Sequence, residues 1–245
     1  MIFKFPQKKI VLDCFTSELS TMKTAPIDFA AKSMPQWWKN LPKNTIHENG
    51  FVPVPNMKHC VGMTDYFKFS VAIPLWSEIA VRVNKDKSFQ WQFSNRRGEC
   101  GEHNLSKQAT GFFNQHGHMK LISPWAFKSE KNINWVWTQP TYSFPQNSEI
   151  VSLPAIVNYY YQHATNINYL FPLDRERTFF LEHGTPIALL TPMTDKKIKI
   201  VRHLVSKEEW LRINDTSTHI TFLHKYSTRV KKINRLENCP YRKEV

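Results

Sequence analysis

From position 71 onward, apolar and polar residues alternate in short runs separated by turn-forming residues, the period-two signature of strands with one buried and one polar face. Val71 to Ile73 opens the series. Glu78 to Val83 and Ser88 to Phe93 flank the polar stretch Asn84-Lys85-Asp86-Lys87, which predicts a hairpin. In its second arm Phe89, Trp91 and Phe93 fall on one face, and Gln90 and Gln92 on the other. Met119 to Phe127 and Ile133 to Thr138, joined through Lys128 to Asn132, predict a second hairpin. Further strands are expected at Glu149 to Val157, Tyr159 to Tyr161, Ile167 to Phe171, Thr178 to Leu181, Pro186 to Thr191 and Lys197 to Val205, with an earlier one at Lys9 to Phe15. Between that first strand and the later series, residues 26–42 carry Ala, Met and Trp suited to short helical turns, interrupted by Pro35 and Pro42. So many short strands with frequent turn signals predict a mainly β fold, an antiparallel β-sandwich or jelly-roll-like domain with a short N-terminal helical segment.

The pattern changes at Ser206-Lys207-Glu208-Glu209. Here a Ser three residues ahead of a Glu has the capping-box spacing, in which hydroxyl and carboxylate satisfy the free N–H groups of a helix start. Trp210, Ile213, Ile220, Leu223, Tyr226, Val230 and Ile233 then recur at helical spacings, with poor helix formers between Asn214 and Thr218. The expected organisation is a β-rich core over residues 1–205 and a basic C-terminal helix and tail, residues 206–245, packed on the same domain. Seven glycines against fifteen prolines, with no repeat and no low-complexity linker, leave no internal boundary.

Composition supports a folded chain: 41% of the 245 residues are apolar and 13% aromatic, enough for a sizeable core. The longest apolar runs fall far short of the roughly 20 residues that span a bilayer. The first residues, Met-Ile-Phe-Lys-Phe-Pro-Gln-Lys-Lys, lack the apolar stretch of a secretory signal, so a cytoplasmic setting is expected. Cys14, Cys60, Cys100 and Cys239 are scattered without a Cys-x-x-Cys pair and read as reduced thiols. Charge adds a direction. The net charge is +13, and residues 196–245 alone hold 13 Lys and Arg against 5 Asp and Glu. A positive field of this kind attracts nucleic acid, an anionic membrane surface or an acidic protein face. Lys225, Arg229, Lys231, Lys232 and Arg235, with Arg242 and Lys243 in the tail, are its candidate contacts, and without a base-reading module any nucleic-acid binding through them is expected to be sequence-tolerant.

Catalytic and cofactor signatures are missing from the sequence: no Gly-x-Ser-x-Gly, no Gly-x-x-x-x-Gly-Lys, no His-Glu-x-x-His and no Gly-x-Gly-x-x-Gly. The sharpest metal candidate is His116-Gly117-His118, because two imidazoles on a jelly-roll strand can share one iron or zinc, with His103 or His183 as a third ligand. The plainer reading is a pair of polar loop histidines beside a glycine. Trp135 and Trp137 alternate and are expected to face the core, whereas the adjacent Trp37 and Trp38 point differently, leaving one of them exposed to stack on a base or a sugar.

Several strings resemble a β-rich protein family of tailed bacteriophages, of the large marine-phage type, with no established activity. They are Met34-Pro-Gln-Trp-Trp-Lys-Asn-Leu-Pro-Lys43, Cys60-Val-Gly-Met-Thr-Asp-Tyr66, Ile73-Pro-Leu-Trp76, Ser123-Pro-Trp125 and His183-Gly-Thr-Pro-Ile-Ala-Leu-Leu-Thr-Pro192. The last also resembles the penultimate strand of jelly-roll and nucleotide-hydrolase-like barrels, whose nucleotide-binding motifs are missing here. The resemblance implies a phage-encoded protein and brings no catalytic residues with it. Physically the strings read as scaffold, with Pro74 and Pro124 at strand entrances or bulges and the following Trp against the core. The expected function is a non-enzymatic binding or virion-associated structural protein without cofactor, present in the host cytoplasm during infection or in the virion. Its expected partners are other virion proteins or an acidic protein surface. The alternatives are a metal-dependent double-stranded β-helix enzyme, cupin- or dioxygenase-like, and an infection-stage factor that binds nucleic acid.

Overall fold

Proline, asparagine and the burial of aromatic side chains set where the elements begin and end. The computed structural model describes residues 9–46, 50, 53–94, 99–102, 115–143 and 149–214. Along the chain these form β1 (Ile10–Thr16), α1 (Leu19–Thr24), β2 (Asp28–Phe29), a 3-10 turn at Ala30–Ser33, α2 (Gln36–Asn40), β3 (Asn44–Ile46), β4 (Pro53–Pro55) and α3 (Val61–Phe69). There follow β5 (Val71–Pro74), β6 (Ile79–Val83), β7 (Phe89–Phe93), β8 (Glu99–Glu102), β9 (His116–Ser129), β10 (Trp135–Thr138), β11 (Val151–Ser152) and β12 (Ala155–Val157). The series ends with β13 (Ala164–Pro172), β14 (Arg177–Leu181), β15 (Pro186–Pro192), β16 (Ile198–Leu204) and α4 (Lys207–Asn214). The protein is mainly β, with a few short helices. Among the described residues no helix is long and apolar enough to cross a membrane.

The strands make three principal sheets and a small ribbon, β3 with β4. The first sheet runs β11-β13-β9-β1-β16, with β8 added to β9. The second runs β12-β10-β15-β5-β2, and the third is β14-β6-β7. None closes into a barrel among the described residues. Inner residues of all three meet in one apolar cluster: Leu12, Leu121, Trp125 and Phe127 from the first, Ile73, Trp135 and Leu190 from the second, Ile79, Val81 and Leu181 from the third. Trp135 and Trp137 are buried in it as their alternation implies. The third sheet grows out of the second. The paired strands β5 and β15 continue, through hydrogen bonds from Gly184 N–H to Leu75 O and from Leu75 N–H to Thr185 O, both 2.8 Å, into the paired strands β6 and β14. The ribbon bends there, and Gly184, at φ +80°, supplies a left-handed backbone.

Several expectations are corrected. The domain is mixed rather than purely antiparallel, because β1 and β16 pair in parallel from Ile10 with Ile198 to Thr16 with Leu204. The segments 119–127 and 133–138 do not form a hairpin. β9 pairs with β13, β1 and β8, whereas β10 crosses to the second sheet between β12 and β15. Both segments present aromatic faces to the core and meet at Tyr159, whose ring lies 5.0 Å from Phe127 and 6.3 Å from Trp135. Tyr159 to Tyr161 is a turn, since the Asn158 side chain accepts from Tyr160 N–H at 3.1 Å and its carbonyl from Tyr161 N–H and Gln162 N–H. Residues 149–157 split into β11 and β12 around Leu153 and Pro154.

Outer faces are covered unequally. On the second sheet, Ala72 and Leu189 lie under Ala30, Trp38 and Phe67, so the 3-10 turn, α2 and α3 roof that face. On the first, Phe15 and Ala126 lie under Trp210 and Ile213 of α4, so the part of the C-terminal helix that is described docks on the domain. Half of the expected capping box is present at its start: Glu209 N–H donates to Ser206 Oγ at 3.1 Å, while the Glu209 carboxylate accepts from Arg212 at 2.7 Å. Among the described residues, no helix makes more than slight contact with the third sheet. The chain beyond Asn214, including Lys225, Arg229, Lys231, Lys232 and Arg235, lies outside the described residues.

Candidate functional site

Strand alternation decides what the third sheet shows to solvent. Phe179 and Leu181, Ile79, Val81 and Val83 point to the core, with Phe89, Trp91 and Phe93 half-buried against it. The intervening residues therefore face outward: Thr178, Phe180 and Glu182 from β14 and its end, Glu78, Ala80 and Arg82 along β6, Gln90, Gln92 and Ser94 along β7. The register aligns them in rows. Phe180 stands opposite Ala80 and Ala80 opposite Gln92. Two residues further along each strand stand Glu182, Glu78 and Ser94, with Ser94 N–H donating to Glu78 O at 3.0 Å.

A hollow follows from the sizes of these side chains. The central strand offers only a methyl group at Ala80, whereas its neighbours raise a phenyl ring and a Gln amide, so a trough runs over Ala80 between two walls. It is an open pocket of about 410 Å³, lined by Glu78 to Ala80, Gln92 to Ser94 and Phe180 to Glu182. Phe180 is 64% exposed, an aromatic ring on a face whose other members are polar or small. Glu78 and Glu182 close one end, and among the described residues neither meets a Lys or Arg in an ion pair. Toward the other end Arg82 is already answered by Glu176 at 3.3 Å, with Lys85 Nζ at 4.0 Å from the same carboxylate. In a chain of net charge +13, the two charged side chains among the described residues lining this hollow are both acidic.

The histidine pair sits elsewhere. His116 and His118 are on β9, a strand rather than the loop of the plainer expectation, and their spacing puts both on the face away from the core. Gly117 between them is a matter of space: a Cβ there would stand 2.4 Å from the Phe171 ring, which is buried and packed edge-on against Phe89 at 4.8 Å. His118 Nε2 lies 3.2 Å from Asn168 Oδ1 on the neighbouring β13. His183 stands at the ribbon bend, its Nε2 3.1 Å from Thr24 Oγ1 of α1. His103 lies outside the described residues. Among the described residues no three His, Cys, Asp or Glu side chains come together as a metal site. Cys14 is buried and Cys60 exposed, both as free thiols, and burial pushes the Cys14 thiol well up from its ordinary range.

Burial lowers the His118 imidazole below its ordinary range; the Asn168 hydrogen bond opposes the shift and Lys120 adds to it. A base whose folded pKa lies below its unfolded value binds protons more readily when unfolded, so protonation opposes folding. This contribution to stability is whole above an unfolded pKa of about 6.5 and is lost as pH falls through the folded value. His118→Gln is expected to flatten the fall of melting temperature below about pH 6.5, read by thermal scans in matched buffers. Superimposable pH profiles of variant and parent would contradict it.

Of the tryptophans weighed for stacking, Trp38 is buried and Trp37 half-buried, its Nε1 donating to Tyr142 O at 2.9 Å. Together with Tyr66, Phe67 and Tyr142 they form the roof of the second sheet rather than a platform. The hollow over Ala80 was missed in the sequence, although one signal marks it: in Thr178-Phe179-Phe180-Leu181 alternation assigns Phe180 to the outward side with Thr178. No protein-family model and no curated protein sequence matches the chain.

Proposed function

We propose that this chain is a phage-encoded, non-enzymatic binding protein associated with the virion, and that the outer face of its third sheet is the recognition surface. The observation that carries the reading is the hollow of about 410 Å³ over Ala80, beside a Phe180 ring that is 64% exposed, on a sheet face without a helical cover among the described residues. A concave site of this size with an apolar floor and a few convergent polar groups has the usual character of a binding site. The phage setting is supported only by the resemblance of strings such as Met34 to Lys43 and His183 to Pro192 to a tailed-phage family. In this reading the two larger sheets are the layers of a distorted jelly-roll-like sandwich, supported by inner faces that meet in one apolar cluster. The third sheet, continued from the second along the bent ribbon, then carries the contact.

Mass spectrometry of particles purified from an infection tests the reading. The parent protein is expected at a fixed copy number per particle. A phage encoding Phe180→Ser is expected to yield particles depleted of the protein, while circular dichroism of the purified variant checks that it stays folded. Absence of the parent from particles would overturn the virion association, and undiminished incorporation of the variant would overturn the role of the face.

A further inference from the structure

The outermost strands of a sheet carry unpaired backbone groups, and proteins guard them with charge, with proline or by keeping them short. Among the described residues all but one of these edges are guarded. β2 and β11 have two residues each and β12 three, β8 holds Glu99 and Glu102, β16 holds Lys199 and Arg202, and β14 opens on Arg177. β7 has five residues with neither charge nor proline, and no described strand pairs with its outer edge. The direction of its backbone groups follows from the pairing with β6. Ser88 O accepts from Asn84 N–H at 2.9 Å and Ser94 N–H donates to Glu78 O at 3.0 Å, so Ser88, Gln90, Gln92 and Ser94 turn to β6, and the N–H and C=O groups of Phe89, Trp91 and Phe93 turn outward.

The sequence of this edge reads the same in both directions, Ser88-Phe89-Gln90-Trp91-Gln92-Phe93-Ser94. An antiparallel second copy turned about a two-fold axis at Trp91 therefore sets like on like: Trp91 opposite the partner's Trp91, Phe89 opposite the partner's Phe93, Gln90 opposite the partner's Gln92. The same axis selects the right backbone groups, because the residues it brings into hydrogen-bonded pairs are Phe89, Trp91 and Phe93, whose N–H and C=O are turned outward. Their rings are half-buried against the core within one copy, Phe89 edge-on to Phe171 at 4.8 Å, and the partner's rings extend that aromatic row across the seam. The exposed glutamines, which both donate and accept, meet on the other face. We propose that two copies of this chain pair antiparallel through the outer edges of β7, about a two-fold axis at Trp91, joining their third sheets into one. Each edge is used once, so the assembly closes at two copies. No like charges oppose each other along the seam; the net charge of +13 on each copy acts against association from a distance, and salt screens it. The pairing lies at the edge and leaves the outer face open, so it stands or falls separately from the recognition reading.

Sedimentation velocity of the full-length protein at about 0.15 M salt tests the pairing. The mass is expected to move from one chain toward two between about 1 and 100 micromolar, and association should tighten at higher salt. Gln90→Glu with Gln92→Glu sets carboxylates opposite each other on both sides of the axis, so association should weaken about tenfold even though the long-range repulsion between copies is smaller. Gln90→Lys with Gln92→Glu leaves the net charge unchanged and, in this register, opposes each Lys to a Glu, so it should pair at least as tightly as the parent. Both positions are exposed, and melting temperatures near that of the parent establish that the variants are folded. Parent protein that stays monomeric up to about 100 micromolar, a doubly acidic variant that pairs as the parent does, or a Lys and Glu variant that fails to pair would each overturn the proposal. In every one of these cases the depletion of particles by Phe180→Ser still decides the recognition face.

Discussion

Trp125→Ala is expected to lower the stability of the protein by about 3–5 kcal/mol, the range for removing a large aromatic side chain from a tight core. Trp125 is 0% exposed, and its indole N–H donates to Ala25 O at 3.1 Å, a bond that ties the chain after α1 to the centre of β9. Local geometry is committed to this placement. The β9–β13 register shifts between Ala164 and Asn166, with Ser123, Pro124 and Trp125 opposite it, and Trp125 N–H donates to Ser123 Oγ at 3.1 Å. Proline is tolerated within the strand because the ladder is interrupted at that point. Urea unfolding at an unchanged slope would measure the loss. A loss under about 1 kcal/mol would mean that the site collapses around the missing ring and that the indole is not a keystone of the core.

Trp210→Ala is expected to cost about 3 kcal/mol and to release α4 from the first sheet. The Trp210 ring packs with Phe15, Ala126, Val205 and Ile213, its Nε1 donates to Pro124 O at 2.9 Å, and the Lys207 ammonium lies 4.7 Å from its centre. Losing it uncovers the apolar residues beneath and leaves the Pro124 carbonyl without its indole donor. Leu211 of the same helix is 50% exposed, so Leu211→Ala is the control and should move stability by less than about 0.5 kcal/mol. Similar effects of the two substitutions in denaturant unfolding would show that the helix is held by something other than this docked ring.

Period-two alternation was a sound guide to strands and a poor one to their partners. Phe89, Gln90, Trp91, Gln92 and Phe93 take the sides that the pattern assigns them, and the expected hairpin with β6 forms, with Val83 opposite Phe89. The same local pattern placed β10 beside β9, because alternation says which side of a strand is apolar and nothing about which sheet the strand joins. The capping box at Ser206 was legible since it is a contact within four residues. By contrast α3 escaped notice, its core side reduced to Met63, Tyr66 and Phe67 amid Gly62, Thr64 and Asp65, although the spacing of those three is helical. The hollow over Ala80 was illegible for a related reason. Its walls come from positions 80, 92 and 180, and a small residue flanked by two larger ones becomes a trough only once three strands are in register. The histidine pair shows the converse, a sequence signal at His116-Gly117-His118 in which the glycine answers to the space left by the Phe171 ring.

The account turns on which face of the molecule meets a partner, and site-directed photo-cross-linking during infection reads that directly. A photoreactive residue replaces Gln92, exposed at the wall of the hollow, and in a second version replaces Lys199, exposed on β16. Cross-links from position 92 to one partner polypeptide, lost on Ala80→Phe, with none from position 199, is the result expected here. Cross-links from position 199 with none from position 92 would contradict the claim that the outer face of the third sheet is where this protein binds.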